Sequence, residues 1–256
     1  MTGGGAAVRM EWTKLRTVPS TAWSLLALVT LMVAASALLL WTLGGAACGT
    51  GCDPDLPRLS LGGIYLAQLP VVVLSVLAVT AEYETMMIRT TLAAQPRRLT
   101  LLGAKAAVVS AAVLVAGLVG VLGAWTVGRS VRVGGYPPVS PADAATGRAY
   151  LGTVVYLGLV ALLSLGVGAL VRHTAGAVTT VIGLLYVAPI VGQVITDERW
   201  RSRVERYAPM SAGLSVQATR HLERLAVAPW RGVGVLAVYA VVALLLGAVV
   251  FRVRDA

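Results

Sequence analysis

The side chains able to do chemistry are few, and their spacing serves no common reaction. Two histidines, His173 and His221, occur in 256 residues, and both fall at the edges of apolar runs or in loops. The sequence holds no H-E-x-x-H for a zinc protease and no G-x-S-x-G to frame a serine nucleophile. It has no G-x-x-x-x-G-K-[ST] loop to cradle the phosphates of ATP. Glu82-Tyr83-Glu84 offers a pair of carboxylates for general acid–base work, but a solvated helix end explains them equally well. Cys48 and Cys52 have a spacing that permits a disulfide ring across Gly49-Thr50-Gly51 on an oxidising side. Two free thiols are the other reading. Two cysteines alone make a poor metal site, so no metal is expected. No residue is assigned a catalytic role.

The elements that would position such groups are membrane spans. The chain is 57% hydrophobic and only 12% charged, roughly half the charge of a soluble domain. Uncharged runs cover 18–52, 59–81, 106–128, 149–171, 174–196 and 232–251. Each has the roughly 20 residues that a helix needs to cross a bilayer core. The first run exceeds one span, and its helix is placed near 22–43, before Gly44-Gly45. It is also too long for a cleaved signal. The expected fold is all-α and polytopic, a single domain of six transmembrane helices. Its spans lie at about 22–43, 59–81, 106–128, 149–171, 174–196 and 232–251.

The net charge of +10 sits in the gaps between runs, so lipid headgroups, not nucleic acid, are its expected partner. Only Lys14 and Lys105 among the 21 basic residues are lysine, a bias typical of a GC-rich bacterial genome. Arg9, Lys14 and Arg16 precede the first run, and Arg89, Arg97, Arg98 and Lys105 follow the second. The first loop has only Arg58 against Asp53 and Asp55. The positive-inside rule then places both termini in the cytoplasm of a bacterial plasma membrane. The arginines of the third and fifth loops oppose this assignment, but the first helices usually dominate orientation.

No run contains Asp, Glu, Lys, Arg or His, which disfavours a self-contained ion-coupled carrier. Gln68 and Gln193 are the strongly polar groups within the spans and are candidates to line a pore. Before the first span, Val8, Trp12, Leu15 and Val18 form an apolar stripe beside Arg9, Glu11, Lys14 and Arg16, the pattern of an interfacial amphipathic helix. The second loop carries Met86, Met87, Ile88 and Leu92, too apolar for a purely solvated linker and suited either to docking a protein or to extending the second span as a helix on the lipid headgroups. After the fifth span, a charged helix is followed by Pro209. An apolar stripe at Leu214, Ala218, Leu222 and Leu225 then completes an expected outer helical hairpin, although the stripe alone equally fits a helix lying flat on the lipid.

Several of these segments match one family. They are Glu11-Trp12-Thr13-Lys14-Leu15-Arg16 with Ser20-Thr21, and Glu82-Tyr83 leading to Ile88-Arg89-Thr90-Thr91-Leu92. Pro96-Arg97-Arg98 with Ala104-Lys105, Arg172-His173-Thr174-Ala175-Gly176 and the closing Arg252-Val253-Arg254-Asp255-Ala256 complete the set. Spread over the whole chain, they resemble the membrane-spanning permease subunits of bacterial type-2 ATP-binding-cassette (ABC) exporters. The resemblance implies six helices per subunit, working beside a second copy or a sibling permease. It also implies a separate ABC ATPase subunit that holds ATP and magnesium, this chain having no cofactor of its own. The expected ATPase-docking residues are Glu11, Trp12, Leu15, Arg16, Glu82, Met86, Ile88, Arg89, Leu92, Arg97 and Arg98. Export as the direction of transport is implied by the resemblance alone, and apolar spans favour a hydrophobic or amphipathic substrate. The alternatives are a non-transporting immunity or sensor protein of the same fold, or an intramembrane protease.

Overall fold

A long apolar run in lipid must satisfy its backbone within itself, and it does so as a helix. The protein, described from a computed structural model, is defined over residues 3–45, 55–84, 98–130 and 143–253. In chain order the helices are α1 (Gly3–Thr17), α2 (Pro19–Gly45), α3 (Leu56–Ser60), α4 (Ile64–Glu84) and α5 (Arg98–Ser130). They continue as α6 (Ala144–Val171), α7 (Thr174–Val194), α8 (Glu198–Tyr207), α9 (Pro209–Leu214) and α10 (Pro229–Val253). No strand occurs among the described residues. Six helices, α2, α4, α5, α6, α7 and α10, are long and apolar enough to span a membrane, so this is a multi-pass membrane protein.

Several span hydroxyls are satisfied locally. Thr30, Thr80, Thr153 and Ser164 each donate to a carbonyl four residues back in their own helix, which spares these four an unpaired donor in the hydrocarbon. α6 and α4 occupy the centre. In the most apolar stretch of each, 67% and 56% of residues are buried, against 22% for α2 and α7. The peripheral helices therefore turn large apolar side chains outward, including Leu38, Val187, Ile190, Val238 and Leu245. Such a surface is stable only in lipid. Trp23 and Trp41 are both strongly exposed on α2. They lie roughly 27 Å apart along its axis at 1.5 Å per residue, matching the two interfacial aromatic belts of a bilayer.

The spans pack through small residues. A β-carbon on Gly166 of α6 would come 2.6 Å from Ala243 C and Leu244 N of α10, so the two backbones touch at this level. The second span starts later than the charge-free run predicts. The chain turns at Leu61-Gly62-Gly63 and α4 begins at Ile64. Gly63 N donates to Ser36 Oγ at 3.0 Å, and a β-carbon there would collide with the Met32 carbonyl of α2. Pro70 and Pro189 lie within α4 and α7, which continue through them.

The hairpin expected between the fifth and sixth spans is present in a modified form. α8 is followed by a break at Ala208 and by α9, which ends at Leu214. The expected apolar stripe does not continue as a helix. Ser215–Gln217 forms a tight turn, Ala218 is extended, and His221 is left-handed with φ 52°. Tertiary bonds to this segment outweigh its helical pattern. Gln217 Nε2 donates to Thr153 Oγ1 at 3.0 Å, and Arg148 donates to the Ala218 carbonyl at 2.7 Å. Asp55 accepts from Thr219 N, Thr219 Oγ1 and Arg220 N at 2.7, 2.6 and 3.1 Å.

Candidate functional site

The sequence runs end at residue 81 and resume at 106, so Glu82 and Lys105 read as groups at the aqueous edge. The structure corrects this. α4 continues to Glu84 and α5 begins at Arg98, and both Glu82 and Lys105 are buried at the α1 end of the bundle. Lys105 Nζ donates to Glu11 Oε2 at 2.6 Å and to Glu82 Oε1 at 2.9 Å. Lys14 Nζ donates to the same Glu82 oxygen at 2.9 Å and lies 3.6 Å from Glu11 Oε1. Two ammonium groups thus balance two carboxylates across three helices. Glu11 Oε1 is buried and accepts no hydrogen bond.

This cluster sets the rotation of α1. Ala7 and Glu11 are buried, while Val8, Trp12 and Val18 of the apolar stripe are exposed. α1 therefore turns its ion-pairing face to the bundle and its apolar stripe outward, toward lipid. Arg9, Thr13, Arg16 and Thr17 occupy the remaining exposed face. Of the expected docking residues, Trp12 and Arg16 are open to a partner, with the Arg16 guanidinium 5.9 Å from the Trp12 ring centre. Leu15 is half-buried. Glu11 and Glu82 are not presented to a partner, because their carboxylates are engaged by the two lysines. Met86, Ile88, Arg89, Leu92 and Arg97 lie outside the described residues, as do Cys48, Cys52 and the side chain of Arg98.

The end of α4 is held from every side. Glu84 accepts from Thr174 N at 3.2 Å, and Thr80 Oγ1 pairs with Thr174 Oγ1 at 2.6 Å. Arg172, left-handed at φ 58°, lies over the Tyr83 ring at 4.9 Å and donates to the Val250 carbonyl of α10 at 3.0 Å. Tyr83 meets Phe251 edge-on at 6.3 Å, and Leu101 of α5 and Met10 of α1 pack with them. His173 caps α7, its Nδ1 accepting from Gly176 N at 3.2 Å. The end of α4 thus sits at a junction of α1, α5, the α6–α7 turn and α10.

The structure separates the two glutamines. Gln68 is fully buried; its Oε1 accepts from Tyr156 Oη at 2.6 Å and its Nε2 donates to Met210 Sδ at 3.5 Å. Tyr186 donates to the Tyr65 carbonyl nearby. Within this chain Gln68 ties α4 to α6 and α9 and lines no open path. Gln193 is exposed in a cavity of ≈ 340 Å³ at the opposite end, with Arg58, Tyr65, Arg201 and Glu205. Among the described residues no group of three His, Cys, Asp or Glu side chains could hold a metal ion.

Sequence reading missed the roles of Lys14, Lys105, Asp55 and Tyr156. For the lysines a signal existed. They are the only two in an arginine-dominated chain, and Lys105 stands one residue before an apolar run, as Glu82 stands one residue after another. Comparison with protein-family models and with curated proteins returns no match.

Proposed function

We propose that the chain is the membrane-spanning permease subunit of an ABC exporter. In this reading it forms, with a second permease, the path for a hydrophobic or amphipathic substrate, and a separate ATPase supplies the energy. The observation that carries the reading is the buried Lys105–Glu11–Glu82–Lys14 cluster, which joins α1 to both spans flanking residues 85–97. A partner resting on α1 and on that segment would move α4 and α5 together. The energy source must come from elsewhere, since the chain has no P-loop. Trp12 and Arg16 belong to the docking surface in this reading, with Arg89 and Leu92 of the segment between α4 and α5. Glu11 and Glu82 act through the ion cluster instead of by touching the ATPase.

The test is to purify the tagged chain from its native membranes in mild detergent. The expected result is a stoichiometric ATPase, lost on Arg89→Glu or Leu92→Asp while the protein still inserts. Each change sets a negative charge into the docking surface, a loss of several kcal/mol in a desolvated contact. Retention of the ATPase by both variants would remove the docking role of this segment.

A further inference from the structure

The cavity of ≈ 340 Å³ that holds Gln193 is closed by α3, α4, α7, α8 and α9 together with the turns after α9. Small-molecule pockets begin at roughly this size. Its floor is apolar and buried, formed by Met210, Ala212 and Leu214. Pro189, Leu225 and Val227 are half-buried walls. Met210 is fixed from below, because Gln68 Nε2 donates to its sulfur at 3.5 Å and Tyr156 holds Gln68 at 2.6 Å. The floor is therefore set before any ligand arrives. The rim is polar and exposed, and consists of Arg58, Tyr65, Gln193, Arg201 and Glu205.

The charge at this cavity does not cancel. Glu205 is the only carboxylate in the lining, and it pairs with Arg201 at 3.5 Å. Asp55, one turn before Arg58, spends its oxygens on Thr219 and on the backbone N–H groups of Arg58 and Arg220. Among the described residues the Arg58 guanidinium has no ion pair, and the side chains of Tyr65, Gln193 and Ser211 make no hydrogen bond. Each group selects a part of a ligand. The guanidinium fork matches a carboxylate. One excess charge suits its single negative charge better than the roughly −1.5 to −2 of a phosphate monoester. The Gln193 amide both donates and accepts, as a ligand amide requires. The floor takes an aliphatic side chain. The volume holds about eleven groups of water size, at roughly 30 Å³ each, which is close to one acylated amino acid.

We propose that this cavity binds an apolar amino acid with a free carboxylate and an acylated nitrogen, either as a free molecule or as the end of a peptide. The carboxylate meets Arg58, the amide meets Gln193, and the side chain lies over Met210 and Leu214. This inference does not depend on the permease reading.

The test is saturation-transfer NMR on the full chain, with whatever subunits accompany it, in phosphatidylcholine nanodiscs. N-acetyl-leucine should bind with a Kd of about 0.1–1 mM, the range of ligands this small. N-acetyl-leucinamide keeps the shape without the charge and should bind about tenfold more weakly. N-acetyl-glycine lacks the side chain and should also lose about tenfold. Arg58→Gln should weaken the acid about tenfold and leave the amide unchanged, a selective loss that general unfolding would not produce. An acetylated tripeptide ending in leucine that binds as tightly as the single residue would assign the site to a chain end. Its exclusion would assign the free molecule, and both results support the ligand class. Equal binding of acid and amide would overturn the proposal. So would binding unmoved by Arg58→Gln, or none in the unaltered protein.

Discussion

Lys105→Met should lower the melting temperature of the detergent-purified protein by roughly 10 °C. Methionine keeps the length and apolar stem of the lysine but removes the charge that two buried carboxylates share. Lys14 remains within reach of both, at 2.9 and 3.6 Å, but it is the more exposed of the two lysines. A buried carboxylate deprived of its partner costs about 3–5 kcal/mol. In a chain of this size each kcal/mol moves the midpoint by about 2–4 °C. The triple variant Glu11→Gln, Glu82→Gln, Lys105→Met removes both charge signs from the centre of the cluster and should regain most of the loss. A melting temperature unmoved by Lys105→Met would mean that the cluster does not hold α1 in place. Recovery in the triple variant separates an unpaired-charge effect from a simple cavity.

Gly166→Val should be comparably damaging for a different reason. α6 and α10 are in backbone contact at Gly166, with Gly247 closing the same seam; a β-carbon on Gly247 would stand 2.9 Å from the Gly166 carbonyl. Neither helix can yield by rotating a side chain, because the obstacle at Gly166 is the main chain at Ala243 and Leu244. α10 would have to move away from the most buried span. Overpacking of this kind costs about 3 kcal/mol or more and should appear as a loss of monodisperse protein on size exclusion. Gly183→Ala on α7 is the control: an added β-carbon there meets nothing within 4 Å, and folding should be unchanged. A well-folded Gly166→Val protein would contradict the α6–α10 packing.

The large features were legible because lipid imposes them. Absence of charge over 20 or so residues marks a span whatever its neighbours do, and all six runs became helices. What the sequence hides is how those helices touch. The start of α4 depends on Gly63 meeting the Met32 carbonyl across helices, a contact without a local signature. The stripe from Leu214 to Leu225 has helical spacing, but Asp55, Arg148 and Thr153 bind its polar atoms and hold it in turns. The ion cluster was half visible. Charge at the margin of a hydrophobic run reads as solvated by default, and only three helices meeting reveal that Glu11, Glu82 and Lys105 exclude water together. Likewise Gln68 looks like a pore group in one dimension and becomes an internal brace once Tyr156 is opposite it.

Crosslinking in native membranes tests the central claim most directly. The chain has two lysines; Lys105 is buried within the cluster, and the Lys14 side chain is 30% exposed on α1. Apart from the amino terminus, an amine-directed crosslinker therefore has one handle, on the helix assigned to the ATPase interface. Mass spectrometry should recover Lys14 joined to an ATPase that carries its own P-loop, with the yield reduced by Arg89→Glu. Repeated recovery of Lys14 without any ATPase, joined only to this chain or to lipid, would contradict the permease reading.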